Sequence, residues 1–461
     1  MSGAGGSRFR RPGPEWVFLL VAGLTGLALI FLITPLAGGN EVPNFQRAVG
    51  IANGEWRVRP VMVPGGVADF LDAGAARFSE GAKPPYRLSV DEWQRLRDQP
   101  LGADRPKLLE PNAIAVLHPV AYLPQIPVIA AAQAMGANPL GIFLAGRLAG
   151  LLAALGLTFA AIRIVPFHKA SLAALALLPP MVFQRSTFDA DQFNTALALF
   201  FTASVLRAIA ADRKFSGRDL SLIVGSAFLL AQAKSAYLLM PLLVLAIPAE
   251  RFASAGQRRV VTTLATLPGA LLSIGWMLLL KLQAFSAARY ETWSGMVEPD
   301  RQLAMILHAP LGYAATLLRT IFTTDFIPRS ILEMAGTFGP PVTMQPLWLV
   351  AVLVLAVVLL LSERALDHSP ALRRFRQMSA GIAVLTVALI LSLLYLQWTR
   401  VGGPVVDGWS GRYLFPLGLA LLVLCPRPKA GLFGGRPERW LGVFAAICAL
   451  SLMVTVVATY R

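Results

Sequence analysis

A few ionisable residues stand where long apolar segments end, and their types decide what chemistry this chain can do. Glu41 follows the first apolar stretch, in Leu36-Ala37-Gly38-Gly39-Asn40-Glu41-Val42-Pro43. A charged side chain near membrane depth costs free energy unless it is partnered or used. Glu41 can be a carboxylate solvated at the interface. It can also be a general base that takes the proton of an acceptor hydroxyl as that hydroxyl attacks a sugar carbon. Asn40 and Asn44 beside it can hydrogen-bond the substrate or the base. Asp189 and Asp191, two residues apart between apolar runs, suit a divalent cation or sugar hydroxyls. They equally suit the cap of a helix beginning near Asp191. Arg185 is close enough in sequence to neutralise them or to bind phosphate.

Cations stand at two further segment ends. Lys234, in Ala231-Gln232-Ala233-Lys234-Ser235-Ala236-Tyr237, fits the phosphate of a lipid carrier, or a headgroup reached by snorkelling. Arg412 follows Trp409-Ser410-Gly411 and opens Tyr413-Leu414-Phe415-Pro416, with Arg400 close in sequence. A guanidinium gives bidentate contact to phosphate. Trp398 and Trp409 read as interfacial belt residues. The histidines His118, His168, His308 and His368 share no metal-ligand spacing. His118 opens His118-Pro119-Val120-Ala121-Tyr122 and is a candidate to line the site, whereas His168 and His368 read as loop residues without a role. No phosphate-cradling glycine loop appears, so no nucleotide is expected.

The elements that must carry these residues are membrane helices. Of 461 residues, 56% are hydrophobic and 14% charged, where a soluble domain has about 25% charged. The chain therefore reads as an all-α polytopic membrane protein with one integral domain, 1–461. Its +16 charge, 41 basic less 25 acidic residues, belongs to short basic loops rather than to a nucleic-acid surface. Cys425 and Cys448 form no disulfide framework. Spans are expected at 16–36, 140–163, 169–184, 192–209, 219–232, 235–249, 260–281, 345–362, 379–397, 412–426 and 440–459, eleven in all. The first exceeds the ~7–15 apolar residues of a cleaved signal and reads as a retained anchor.

Charge sets the topology. Arg8, Arg10 and Arg11 hold the N-terminus in the cytoplasm. If segment 119–136 does not cross, the loops carrying Arg163 and Lys169, Arg207 to Arg218, Arg251 to Arg259, Arg364 to Arg376, and Arg427 to Arg439 all fall inside. If it crosses, all of them fall outside, against the positive-inside bias. Segment 119–136 is therefore expected as a re-entrant or interfacial helix, with Pro119, Pro124 and Pro127 disturbing its start. It closes a first outer loop, 37–139, which also holds an amphipathic helix at 91–97 and proline-rich turns at Pro84-Pro85 and Pro106 to Pro111. A second large outer loop covers 282–344, and shorter outer loops cover 184–192 and 397–411. No internal repeat is visible.

Read together, several motifs resemble a known family. They are Glu41 after the first span, His118-Pro119-Val120-Ala121-Tyr122-Leu123-Pro124, Gly146-Arg147-Leu148, Phe188-Asp189-Ala190-Asp191, Lys234-Ser235-Ala236-Tyr237 and Gly411-Arg412-Tyr413-Leu414-Phe415-Pro416. The family is the bacterial predicted membrane proteins called domain of unknown function 2142, which is similar in layout to the GT-C glycosyltransferases. The resemblance covers roughly 16 to 425. It implies a GT-C-like fold in the bacterial inner membrane, with the active site on the periplasmic side. It implies a polyprenyl-phosphate-linked sugar as donor, a glycan, lipid or protein as acceptor, and transfer with inversion.

Glu41 takes the place of the family's catalytic carboxylate, as general base. Lys234, Arg412 and Arg147 would face the lipid phosphate, and Asp191 with Asp189 would orient sugar hydroxyls or a divalent cation. Asn40, Asn44, His118, Tyr122, Arg185, Tyr237, Arg400 and Tyr413 complete the binding set. The family's Asp-Glu-Pro followed by Ala-His-Phe is here Asn40-Glu41-Val42-Pro43-Asn44-Phe45. One carboxylate remains, which suffices for a base. The family's Asn-Pro-Asp-Gly is here Phe188-Asp189-Ala190-Asp191-Gln192, so Asp191 takes the acidic position. The rival reading is a transporter or flippase of a lipid-linked sugar, which needs the cations but no base. A third reading is a structural subunit of an envelope assembly.

Overall fold

Proline opens many of the helices, where its missing N–H costs nothing and its fixed φ suits the first turn. A computed structural model describes residues 13–78, 86–283, 297–323, 325–338, 342–365 and 369–461. Arg8, Arg10, Arg11, Pro84, Pro85 and His368 lie outside the described residues. In chain order the helices are α1 Pro14–Leu32, α2 Glu41–Ala52, α3 Gly65–Arg77, α4 Val90–Asp98, α5 Ile126–Ala134, α6 Pro139–Ile164, α7 Lys169–Leu177, α8 Pro179–Ser186 and α9 Asp191–Ala210. They continue as α10 Gly217–Ala233, α11 Ala255–Leu282, α12 Pro299–His308, α13 Pro310–Thr323, α14 Phe326–Gly336, α15 Pro346–Ser362, α16 Pro370–Gln397, α17 Gly418–Leu424 and α18 Pro437–Tyr460.

Six of these, α1, α6, α9, α11, α16 and α18, are long and apolar enough to cross a membrane; the pair α12–α13, bent by 108°, makes a seventh if it counts as one span. The chain is thus a mostly helical, multi-pass membrane protein. These six answer the expected spans at 16–36, 140–163, 192–209, 260–281, 379–397 and 440–459. The remaining expected spans fall on shorter or interrupted elements. Segment 169–184 breaks at Pro179-Pro180 between α7 and α8, and 235–249 is 3₁₀ turns at Ser235–Tyr237 and Met240–Ala246. Segment 412–426 is a 3₁₀ turn at Gly411–Leu414 and the seven-residue α17, while α10 and α15 have 17 residues each. Proline explains two of the breaks, because it removes a ladder donor and clashes with the preceding turn.

Helix α9 is the axis of the bundle. Of its apolar window 89% is buried, against 28% for α1 and for α11, which stand at the rim. Helix α9, whose buried residues include the small Ala196, Ala198, Ala203 and Ser204, packs against α6 and α10. Between α1 and α6 the chain builds a separate cap with its own core. There α2, α3 and a two-strand antiparallel ribbon, β1 Val61–Val63 with β2 Lys107–Leu109, surround Phe45, Phe70, Phe143 and Phe188. Segment 119–136 is a 3₁₀ turn at Pro119–Tyr122 and then α5. Nine residues rise only about 14 Å, short of a ~30 Å bilayer core. The expected helix at 91–97 is α4, opened by a Ser89/Glu92 capping box.

At the end of the bundle away from this cap, Glu363 accepts hydrogen bonds from the Ser171 N–H at 3.0 Å and the Ser171 hydroxyl at 2.7 Å, and pairs with His168 at 2.9 Å. Arg427 is 3.5 Å from the same carboxylate. Three loops are tied there. His168, expected to be a plain loop residue, is instead a buried partner in this knot.

Candidate functional site

The C-terminal end of α1 leaves carbonyls without partners, and α6 supplies a cation to them. Arg147 donates from Nη1 to the carbonyls of Ile30 at 2.8 Å and Ile33 at 3.0 Å. Its Nε and Nη2 grip Glu41, at 2.7 Å to Oε1 and 2.6 Å to Oε2. The Phe188 N–H donates to Oε1 at 2.6 Å and the Gly38 N–H to Oε2 at 2.9 Å. Both side chains are fully buried. An ionised carboxylate offers about four lone-pair sites, and four donors fill them here. Gly146 lets α6 come this close, since a Cβ there would stand 2.4 Å from the Phe188 ring.

This geometry corrects the expectations for Glu41 and Arg147. A base must reach the proton it takes, and Glu41 faces Arg147 and backbone instead of an opening. Arg147 is spent on α1 and Glu41, leaving it nothing for a phosphate. Arg185 also leaves the site. It points into the bundle, donating to the Ala176 carbonyl at 2.5 Å with its guanidinium 5.4 Å from the Phe18 ring. The pair Arg147–Glu41 does, however, fix the Phe188 backbone, and Phe188 leads directly into the acidic turn.

That turn is held from below by polar residues of the cap. Buried Asn44 accepts from the Tyr122 hydroxyl at 2.7 Å and the Ala190 N–H at 3.3 Å, and donates to the Asn40 carbonyl at 2.7 Å. Asp189 accepts the Asp191 N–H at 2.8 Å and the Gln184 amide at 3.1 Å. Of the two carboxylates expected to cap α9, Asp189 bonds its first N–H, from the residue before the N-cap Ala190. Asp191 is left free to pair with Lys234 at 2.6 Å, and those side chains remain 18% and 19% exposed. The Lys234 ammonium lies 5.1 Å from the Tyr413 ring, and Tyr237 donates to the Tyr413 carbonyl at 2.9 Å.

Arg412 completes the cluster. Its charge acts on both Asp189 and Asp191, its guanidinium is 5.8 Å from the Tyr413 ring, and its buried Nε has no hydrogen-bond partner. The turn that carries it is pinned by α14: Glu333 accepts the Gly411 N–H at 2.6 Å, and a Cβ on Gly411 would lie 2.2 Å from the Ser330 carbonyl oxygen. Trp409, expected in an interfacial belt, is instead buried, donating to the Ser330 hydroxyl at 2.8 Å and packing on Phe326. Burial, and then the charge of Asp191, push the Asp189 carboxyl above the usual range. The result is a partly open group of two cations and two carboxylates, one of them with raised proton affinity.

Asn40, Asn44, Tyr122, Asp189, Asp191, Lys234, Tyr237, Arg412 and Tyr413 therefore belong to one connected group, although their sequence positions span most of the chain. Arg400 is exposed and its side chain makes no described contact to them. His118 stands apart, in an open groove of about 270 Å³ lined with Val120, Phe228, Gln232 and Trp276. Burial, and then the charge of Arg47, push its imidazole down to about 4. Among the described residues no three His, Cys, Asp or Glu side chains come together as a metal would need. Asp189 and Asp191 are only two, and Lys234 holds one of them. Gln184 and Glu333 were not foreseen from sequence. Glu333 carried one usable signal, an i,i+4 pairing with Arg329 on an amphipathic helix.

A family model described as predicted membrane protein (DUF2142) matches residues 88–422, nearly three quarters of the chain, and the chain belongs to that family. No curated protein and no solved structure matches it.

Proposed function

We propose that this member of the DUF2142 predicted membrane proteins is a glycosyltransferase of GT-C type in the bacterial inner membrane. It would move a sugar from a polyprenyl-phosphate carrier to an acceptor on the periplasmic side, with the N-terminus in the cytoplasm. In this reading the short and broken segments at α7–α8, α10, 235–246, α15 and 411–424 are further crossings, giving eleven. One observation carries the proposal. Lys234 pairs with Asp191, the charge of Arg412 acts on Asp189 and Asp191, and the group is partly exposed beside the cap.

The donor phosphate would lie against Arg412, whose Nε lacks an acceptor, and against Lys234. The acceptor oxygen bonds to the anomeric carbon as the bond from that carbon to the phosphate oxygen breaks. The phosphate leaves with the electron pair, and the two cations stabilise the charge it gains. Attack from the face opposite the phosphate inverts the carbon. Asp189 takes the hydroxyl proton, a role its raised proton affinity suits, while Asp191 positions Lys234. Glu41 acts through structure, by fixing Phe188.

A specific feature favours the transporter reading as the second choice. Lys234 stands where α10 gives way to a 3₁₀ turn, the kind of break at which transporters hold ions. One experiment separates the two. Envelope glycans are profiled in cells lacking the gene and in cells complemented with wild type or Asp189→Asn. Restoration by wild type alone supports the transferase, and full restoration by Asp189→Asn refutes it and favours transport.

A further inference from the structure

Part of the segment expected as the second large outer loop carries its apolar side chains on the wrong face for a loop in water. On α13 the outward residues are Leu311, Leu318 and Phe322, which are 86%, 56% and 72% exposed. The face against the protein holds buried Thr316 and Thr320 beside half-buried Leu317 and Ile321. A helix in water turns its apolar stripe inward. Helix α12 ends in the same way, on Leu307, 71% exposed. His308, next to it, spends its Nδ1 on the Ala304 carbonyl at 2.7 Å. No Asp, Glu, Lys or Arg occurs from Gln302 to Leu318. The charges of α12 are Asp300 and Arg301 in its first turn, and that of α13 is Arg319, which reaches the Pro404 carbonyl at 3.3 Å.

The 108° bend between α12 and α13 falls at Pro310, which has no N–H to carry the ladder onward. Both arms come back to one loop. Gln302 on α12 donates to the Tyr395 carbonyl at 3.1 Å and accepts the Gly402 N–H at 2.9 Å. Thr320 on α13 accepts the Val406 N–H at 2.9 Å. Gly402 and Val406 both lie in the loop 397–411, so the pair enters and leaves on one side and is not a crossing. Helix α16 gives its depth. Between Arg376 and Arg400 the chain carries no Asp, Glu, Lys or Arg, and the middle of that stretch is Ala388. Tyr313, in the first turn of α13, donates to the Ser392 hydroxyl. Ser392 is four residues from the middle, about 6 Å along the axis, whereas the hydrocarbon reaches about 15 Å to each side.

We infer that α12–α13 is a re-entrant hairpin, and that Leu307, Leu311 and Leu318 form a contact surface for the hydrocarbon chains of the bilayer leaflet on the cap side. Depth selects this partner, and so does continuity with α16, a helix of spanning length whose Val384 and Leu385 are exposed. The hairpin brings lipid to the flank of loop 397–411, which runs into Arg412. It uses no residue of the Lys234–Arg412 group and stands whether or not the chain transfers sugars.

The test places a nitroxide at Leu307→Cys, Leu311→Cys or Asp300→Cys in the full chain, reconstituted at one copy per nanodisc of phosphatidylcholine and phosphatidylglycerol. Wild type labelled in parallel gives the signal of Cys425 and Cys448, which is subtracted. Collision with oxygen, which concentrates in hydrocarbon, is compared with collision with a water-soluble nickel chelate. Oxygen should exceed nickel several-fold at positions 307 and 311, and nickel should exceed oxygen at position 300. Nickel in excess at 307 and 311 overturns the inference, because the hairpin then stands in water. Low collision with both reagents at those positions also overturns it, because protein then covers the face. If Leu311→Cys fails to fold, Leu307→Cys, also at an exposed site, carries the same readout alone.

Discussion

Glu41→Gln should unfold the protein more than it should alter a step of chemistry. The carboxylate receives four donors, two from Arg147 and one each from Gly38 and Phe188. An amide in its place keeps one acceptor oxygen and turns an NH₂ toward two of those donors, so donor faces donor. Arg147 keeps the Ile30 and Ile33 carbonyls but loses its counter-charge. Breaking one side of a buried pair costs about 3–5 kcal/mol, and a whole domain is stable by only about 5–15 kcal/mol. The loss should therefore be plain in denaturant titration of the detergent-solubilised protein, followed by tryptophan fluorescence, as a lower midpoint at unchanged slope. Glu41→Leu combined with Arg147→Met should cost less than the sum of the single changes, because no uncompensated charge remains. A Glu41→Gln protein within about 0.5 kcal/mol of wild type, the range of ordinary surface changes, would refute this reasoning. It would return Glu41 to the list of bases.

Tyr122→Phe removes the hydroxyl that Asn44 accepts and should cost about 1 kcal/mol in the same titration. Gly411→Val forces a side chain into the Ser330 carbonyl; it should destabilise by about 1–3 kcal/mol and, by displacing Arg412, abolish the proposed transfer. Acid should weaken the fold through His118. Its folded-state value near 4 lies below the ordinary 6.5, so the unfolded chain binds the extra proton first. The stability it contributes is complete above pH 6.5 and is lost as pH falls toward 4. A His118→Gln midpoint should accordingly vary less over that range than wild type, as read by thermal unfolding at stepped pH.

How much was legible in the sequence depends on range. The six long helices are visible as apolar runs of spanning length, because the bilayer dictates that length locally. The segments broken at Pro179-Pro180 and Pro416 look the same in composition, and only backbone geometry separates them. The motif residues at the site were identified one by one, and the structure joins most of them. Their pairings were hidden, since Glu41 and Arg147 are 106 positions apart and Asp191 and Lys234 are 43 apart. Hence a paired, buried carboxylate read as a free base, and Asp189, whose environment raises its proton affinity, read as secondary. Trp409 was misplaced for a related reason: an indole suits an interface and a packed core alike, and Ser330, which decides between them, lies in a distant helix.

The central claim is that Arg412 and Lys234 hold a lipid-borne phosphate. Mass spectrometry of lipids that co-purify with the protein tests it most directly, with wild type beside Arg412→Ala. The reading predicts a polyprenyl phosphate, or its sugar adduct, in wild type and its depletion in the variant. Bulk phospholipid alone in both samples would contradict it.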